Sequence, residues 1–413
     1  MESTRKYLNR RTFIKQSLTV AATHSAVFAA ITQIGCKPID VPPGMVGIES
    51  VKVPKGMSVK DFSKEGEILS NGGKVPSSHD GMACFDGSPL GVAYVLIRNH
   101  EVSGFYSGSS NPYPGLSYDE RTRGGTTTIL LDENYNVVDQ YMSLAGTLRN
   151  CSGGKTPWNT WISCEEAVED ATSGHLAHGF AFEVDPYAGE LKQGIALKAM
   201  GKFRREGIAV PVQSGIVYQT EDEDDGCVYR FIPDQYGNLT SGRLEVLKLT
   251  NPNDKVTPDG VAAEWVELDP NDLPLRSQAK KLGALQMKAP EGIMAIGEDI
   301  VFTASKDGYK GLGFILKYSP STLNSGQLSL VFESTSKTKI SQPDQMTYNS
   351  FGDIIVCEDV IFGSRIVGIR PDGKVYLIAT NSYREWTGVC YSPDEKTLFA
   401  NAQGGGFSVA ITG

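Results

Sequence analysis

Histidine is scarce, at five in 413 residues. Only His79 and His100 fall inside recurring motifs, so a zinc centre built on three histidines is not expected. No two cysteines stand in a C-x-x-C pair, which removes zinc ribbons and thioredoxin-like redox sites. The G-x-S-x-G elbow of serine hydrolases and the glycine-lysine phosphate loop are both missing. Basic residues are outnumbered, 39 Lys and Arg against 48 Asp and Glu, for a formal net charge of −9. A nucleic-acid partner would leave basic patches with interleaved aromatics, and none is seen. The acidic excess is compatible with simple solubility or with cation sites, and the positions of the acids must decide.

A long uninterrupted apolar run is also lacking. Ser17 to Ile34 has no acidic residue, but Thr19, Thr23, His24, Ser25 and Thr32 make it a poor permanent membrane span. It follows Asn9-Arg10-Arg11-Thr12-Phe13, and this charged-then-apolar layout reads as a twin-arginine export signal over residues 1–36. That route carries proteins already folded, which suits a metal centre loaded before export to the periplasm or cell exterior. Ile34-Gly35-Cys36 also resembles a lipobox, which would anchor the mature chain through a lipidated Cys36, although Gln33 fits that pattern poorly. Residues 37–413 are then one domain.

What is present beyond residue 80 is a strand pattern. Short apolar runs alternate with turns such as Asp185-Pro186-Tyr187-Ala188-Gly189 and Ser392-Pro393-Asp394, an all-β signature. One motif recurs six times. It opens at His79-Asp80-Gly81, Asn150-Cys151-Ser152, Arg205-Glu206-Gly207, Pro290-Glu291-Gly292, Pro343-Asp344-Gln345 and Trp386-Thr387-Gly388. Each opening leads through a strand, a turn and a second strand to a polar end: Asn99-His100-Glu101, Glu165-Glu166, Glu221-Asp222, Ser305-Lys306-Asp307, Glu358-Asp359 and Asn401-Ala402-Gln403. Copies lie roughly 45–85 residues apart, enough for a four-stranded blade plus loops, with outer strands and loops assigned to 103–123 and 251–286. The expected fold is a six-bladed β-propeller whose hairpins deliver both ends to one mouth of a central channel.

Two readings of the delivered acids stand. Taken singly, each is an ordinary solvated turn residue. Taken as a set they would repel one another unless cations lie between them, which favours a metal site. Hard cations such as calcium want several oxygen ligands. The Cys151 thiol is either a small buried group or a ligand to a transition metal, which a thiolate suits. Lys155, Arg204, Arg205 and Lys288 stand beside these acids, either balancing their charge or orienting an anionic substrate.

The segments Asn150-Cys151-Ser152-Gly153-Gly154, Cys164-Glu165-Glu166, Gly124-Gly125-Thr126-Thr127, Tyr218-Gln219-Thr220-Glu221-Asp222, Pro290-Glu291-Gly292 and Glu385-Trp386-Thr387-Gly388 resemble the PhoX alkaline phosphatases. The resemblance implies ferric (Fe3+) and calcium (Ca2+) ions on a propeller axis, and hydrolysis of small-molecule phosphate monoesters by a monomer. It places Cys151, Glu206 and Glu291 at the iron. Glu165, Glu166, Glu221, Asp222, Asp344, Asn99 and Glu101 fill the remaining metal shell.

Two positions depart from that family's pattern. Ala289 stands where an arginine precedes Pro-Glu-Gly, and Arg205 stands where a histidine precedes the earlier glutamate. Arg205, with Lys288, is therefore read as supplying the phosphate-binding cation. Two alternatives remain at this level: a calcium-dependent lactonase or arylesterase propeller, and a non-catalytic binding propeller that keeps its metals for stability.

Overall fold

The computed structural model describes residues 44–48, 50–106, 111–360, 363–382, 385–403 and 406–413. The leader reading and the Cys36 anchor lie outside these residues. No helix among the described residues is long and apolar enough to cross a membrane.

The described residues are almost entirely antiparallel β-structure, with one short α-helix among them, Leu275–Lys281. Each of the six recurring motifs is a hairpin. Their first strands are His79–Asp86, Asn150–Lys155, Arg205–Ala209, Pro290–Ile296, Pro343–Tyr348 and Trp386–Tyr391. These six pack side by side in a closed ring, the last against the first. Further strands extend outward from each hairpin as meanders, giving the propeller-like architecture expected of the repeats.

Among the described residues the hydrogen-bonded sheets number five, where six repeats led to an expectation of six separate ones. The difference lies in the 251–286 insertion. Its strand Val261–Leu268 pairs with Asn238–Leu249 on one side and with Ser325–Glu333 on the other. Two hairpins' meanders are thereby fused into one nine-stranded sheet. Elsewhere the chain closes the ring with its N-terminal part, because Ser58–Phe62 pairs with the final strand, Phe407–Thr412.

The apolar core is divided among the gaps between neighbouring hairpin sheets. Ala83, Phe85, Leu144, Trp161 and Phe182 fill the gap between the first and second. Phe62, Met82, Leu96 and Phe399 fill the gap where the last sheet meets the first. Phe399 is fully buried there and meets Phe62, Tyr94 and Tyr135 edge-on. Six described cysteines, among them Cys164, Cys227 and Cys357 in these cores, are free thiols, so apolar packing rather than disulfides holds the ring shut.

Ring closure is so tight at the axis that a methyl group is too large at some positions. A Cβ at Gly292 would lie 2.3 Å from the Asp344 carbonyl oxygen of the next strand. At Gly388 it would lie 2.5 Å from that of Asp80, and the backbone there is left-handed at φ +61. The glycines at these two positions are thus a requirement of strand approach.

Truncating Phe399→Ala should remove about 3–5 kcal/mol, the usual range for a buried aromatic. Urea unfolding of the variant beside the parent chain measures it. A loss below about 1 kcal/mol would show that the first and last sheets are not held together by this cluster.

Candidate metal centre on the ring axis

Every first strand carries an irregularity in register at the same place. It falls between His79 and Met82, Asn150 and Gly153, Arg205 and Ile208, Pro290 and Ile293, Pro343 and Met346, and Thr387 and Cys390. A bulge of this kind re-aims side chains that regular pleating would send elsewhere. The residues it presents to the axis are Asp80, Cys151, Glu206, Glu291 and Asp344; in the sixth strand the equivalent place is Gly388, while Thr387 before it donates to the His79 carbonyl. The far ends of the hairpins add Glu101, Glu166, Asp222, Lys306, Asp359 and Gln403 at the mouth above them.

Two groups of ligand atoms converge here. Cys151, Glu166 and Glu206 can bring one donor atom each within 4.8 Å of one another, as can Glu206, Glu291 and Asp344. Glu206 belongs to both. The Cys151 thiol donates to Glu206 Oε1 at 3.2 Å, while Glu206 Oε2 and Asp344 Oδ1 are buried with no partner. Unsatisfied buried carboxylate oxygens are costly, and a cation is the group that would satisfy them. One thiol with several carboxylates is also a donor set that fits a transition metal beside a harder cation.

The protons respond to the same crowding. Burial, and then the charges of Glu291 and Asp344, hold the Glu206 carboxyl well above the usual range. Glu291 and Asp344 are raised likewise, burial leading in both. The Cys151 thiol is pushed up by burial and by Asp80 and Glu206. Glu166 is raised by burial to about 7, against the opposing pull of Arg149. Asp80 sits on the other side of the ring under a cap of amides. It accepts from Gln345 Nε2 at 2.5 Å, Gln403 Nε2 at 2.7 Å and the Gly81 N–H at 2.8 Å.

Among the sequence-nominated residues, Cys151, Glu206, Glu291, Glu166, Asp222, Asp344 and Glu101 reach this channel, and five do not. Glu165 turns into its sheet, where it accepts from His178 Nδ1 at 2.6 Å and from the Leu148, Gly179 and Phe180 N–H groups. Glu221 does the same with the Tyr229 hydroxyl and the Cys227 N–H. The reason is strand alternation: in each Glu-Glu or Glu-Asp pair only the second residue can face the axis. Asn99 is buried, donating to the Cys151 and Ser152 carbonyls at 3.0 and 2.6 Å while accepting from Trp161 and Ser163. It positions the Cys151 strand and offers the axis nothing.

Arg205 is the clearest correction. It is fully buried, stacked 4.0 Å from the Phe203 ring centre. Its N–H groups are spent on Gln219 Oε1 and on the Gly179, Met200 and Gly201 carbonyls. Burial lowers its pKa to about 10. Alternation again explains it, since Glu206 faces the axis and its neighbour must face away. Lys288 is exposed, and its backbone N–H is tied to Asp307. The cations that do reach the channel acids are Arg149, Arg204 and Lys306. Arg149 lies 2.5 Å from Glu101 and 3.0 Å from Glu166, and Lys306 lies 3.9 Å from Glu291. Arg204 also pairs with Glu166. Equivalence across the repeats would have found Arg149 and Arg204, which immediately precede two of the motif openings.

The family model for alkaline phosphatase PhoX matches residues 35–141 and 133–406. The chain belongs to the PhoX alkaline phosphatase family. Among solved structures, Pseudomonas fluorescens PhoX in complex with vanadate, a transition state analogue, superposes with a TM-score of 0.70 at 16% identity, covering 92% of this chain and 98% of that one. A putative gluconolactonase gives a TM-score of 0.47 at 10% identity, over 87% and 93% of the two chains. The virginiamycin B lyase of Staphylococcus aureus gives 0.43 at 9%, over 86% and 99%. Comparison with curated proteins by sequence finds no match. Family membership and the donor set agree on a metal-dependent phosphatase acting on small phosphate esters.

The raised carboxyls fix the sign of a pH effect. Their unfolded values lie near 4, so between there and their folded values the metal-free native state holds more protons than the unfolded chain. Stability must then fall as pH rises from about 4 through neutrality. Thermal unfolding of chelator-stripped protein should show this decline, and calcium with ferric ion should reverse it. A metal-free Tm that climbs from pH 5 to pH 8 would contradict this account of the channel. Arg205→Gln should lower Tm while leaving calcium uptake by the remaining folded protein unchanged.

Proposed function

We propose that this chain is an exported phosphomonoesterase whose Cys151, Glu166, Glu206, Glu291 and Asp344 hold iron and calcium on the axis of a six-bladed propeller. The observation that carries the reading is Glu206, shared between two ligand groups with one oxygen left unpartnered in the interior. Six hairpins closing one ring, with two of them fused through a bridging strand, support the count of six blades. Cys151, Glu206 and Glu291 would hold Fe3+, which the thiolate suits, and Glu166 and Asp344, with Asp222 and Glu101 at the mouth, would supply oxygen for Ca2+.

When bound, such cations act as Lewis acids that neutralise phosphoryl charge and generate the nucleophile at neutral pH. The chain's own residues do the rest. Buried carboxylates fix where the cations lie, and the six bulges fix the carboxylates. Arg149, Arg204 and Lys306 offer positive charge at the mouth for the ester's phosphate group. Ala289 therefore does not leave the site without a guanidinium; the second and third repeats provide one each. Residues 1–36 would act as the twin-arginine leader to the periplasm or cell exterior, with Cys36 as a candidate lipid anchor. Residues 37–413 would be a single monomeric domain that has no nucleic-acid partner.

Purified protein loaded with calcium and iron should hydrolyse a simple aryl phosphate and lose that activity on chelation. Cys151→Ser and Glu206→Gln should each lower kcat by about 100-fold or more, since each removes a ligand. A fully metallated protein that hydrolyses no phosphate monoester would overturn the reading.

A further inference from the structure

Glu166 is claimed twice. Its two oxygens are each covered by a guanidinium, Oε2 by Arg149 at 3.0 Å and Oε1 by Arg204. Yet the same carboxylate is one of three groups whose donor atoms converge with Cys151 and Glu206. Each oxygen keeps a second lone pair, but a cation bound there would sit against two guanidiniums, so the arginines and a cation compete for the charge of the same carboxylate. Glu166 is only 5% exposed, while Arg149 and Arg204 are 34% and 31% exposed. The acid is therefore fixed in the wall, and the cations cover it from the solvent side.

Both arginines have another acid to fall back on. Arg149 also holds Glu101, and Arg204 lies 3.6 Å from Asp222. Arg149 occupies the position directly before its first strand with φ +50, the same left-handed turn as Ser78, Ala289 and Gln342 at equivalent places in other repeats. A left-handed arginine backbone carries a conformational cost, and here it directs the chain so that the side chain reaches across the mouth.

Resting on the metal reading above, we propose that Arg149 and Arg204 form a latch on Glu166 that a metal cation displaces, and that the freed guanidiniums then take the phosphate of the substrate. Without a cation the latch neutralises the deepest mouth carboxylate and holds the wall together. With one, the carboxylate turns to the metal and two forked donors face the channel opening, where planar guanidinium matches phosphate oxygens. Cation and anion binding are then linked, each strengthening the other. Arg149 and Arg204 are positioning residues toward the metal, because they act on it through Glu166, and binding residues toward phosphate.

Calorimetric titration of chelator-stripped protein with calcium, then of the calcium-loaded protein with inorganic phosphate, tests this without turnover. The double variant Arg149→Gln, Arg204→Gln should bind calcium about 5–20-fold tighter, because the competing latch is gone. Its phosphate affinity should fall about 10-fold or more. The double lysine variant, which keeps charge and guards against a folding defect, should bind calcium as the parent does and phosphate about 3–10-fold more weakly. Unchanged or weaker calcium binding by the glutamine variant, or unchanged phosphate binding by both variants, would overturn the latch alone. A parent chain that takes up no calcium would overturn the metal reading and the latch together.

Discussion

Five first strands in a ring of six bring a carboxylate or thiol to one axis, and the four carboxylates among them are buried. Like charges at such distances in a medium of low dielectric are strongly unfavourable unless protons or cations intervene. That constraint organises the molecule. It explains why Asp80 is capped by amides from Gln345 and Gln403, and why Glu206, Glu291 and Asp344 are pushed toward the protonated form. It also explains why the mouth is studded with Arg149, Arg204 and Lys306. The same crowding is what the proposed cations would relieve.

The scaffold carries that burden through repetition. The same bulge in each first strand turns one side chain to the axis, and neighbouring strands reach through to hold it. Asn99 donates to the Cys151 carbonyl, Thr220 to that of Glu291 and Asn401 to that of Asp80. With Thr303 donating to the Asp344 carbonyl as well, four channel residues are held by a polar group of the preceding repeat, so neighbouring repeats depend on one another. The glycines at 292 and 388 serve the same end by allowing the next backbone to approach. The placement of the channel acids comes from interlocked strands, with the loops left free to differ.

Much of this was readable in the chain. Six motif openings and their polar ends named the ring strands and most of its acids, because a strand pattern with a fixed offset survives wide variation in loop length. Two things were not readable. A bulge shifts the pleat by one residue, so adjacent pairs such as Glu165-Glu166, Glu221-Asp222 and Arg205-Glu206 gave no sign of which member faced inward. The pairing of Val261–Leu268 with sheets on both sides is a long-range contact that no local pattern encodes. The Arg205 assignment failed on the first of these, and the expectation of six separate sheets on the second.

The same alternation supplies a rule that would have avoided the error. In the repeats with a known inward residue, the position immediately before it packs into the sheet: His79 before Asp80, Asn150 before Cys151 and Arg205 before Glu206 are all fully buried. The position one step earlier lies at the channel mouth, and there stand Arg149 and Arg204. A cation two residues before a channel acid or thiol is therefore the one to examine for an anionic substrate, and a cation directly before it is a packing element. On that rule, and if the proposed phosphate role holds, the guanidinium missing at Ala289 would be redistributed around the ring, because the equivalent positions one and two repeats earlier are both arginine.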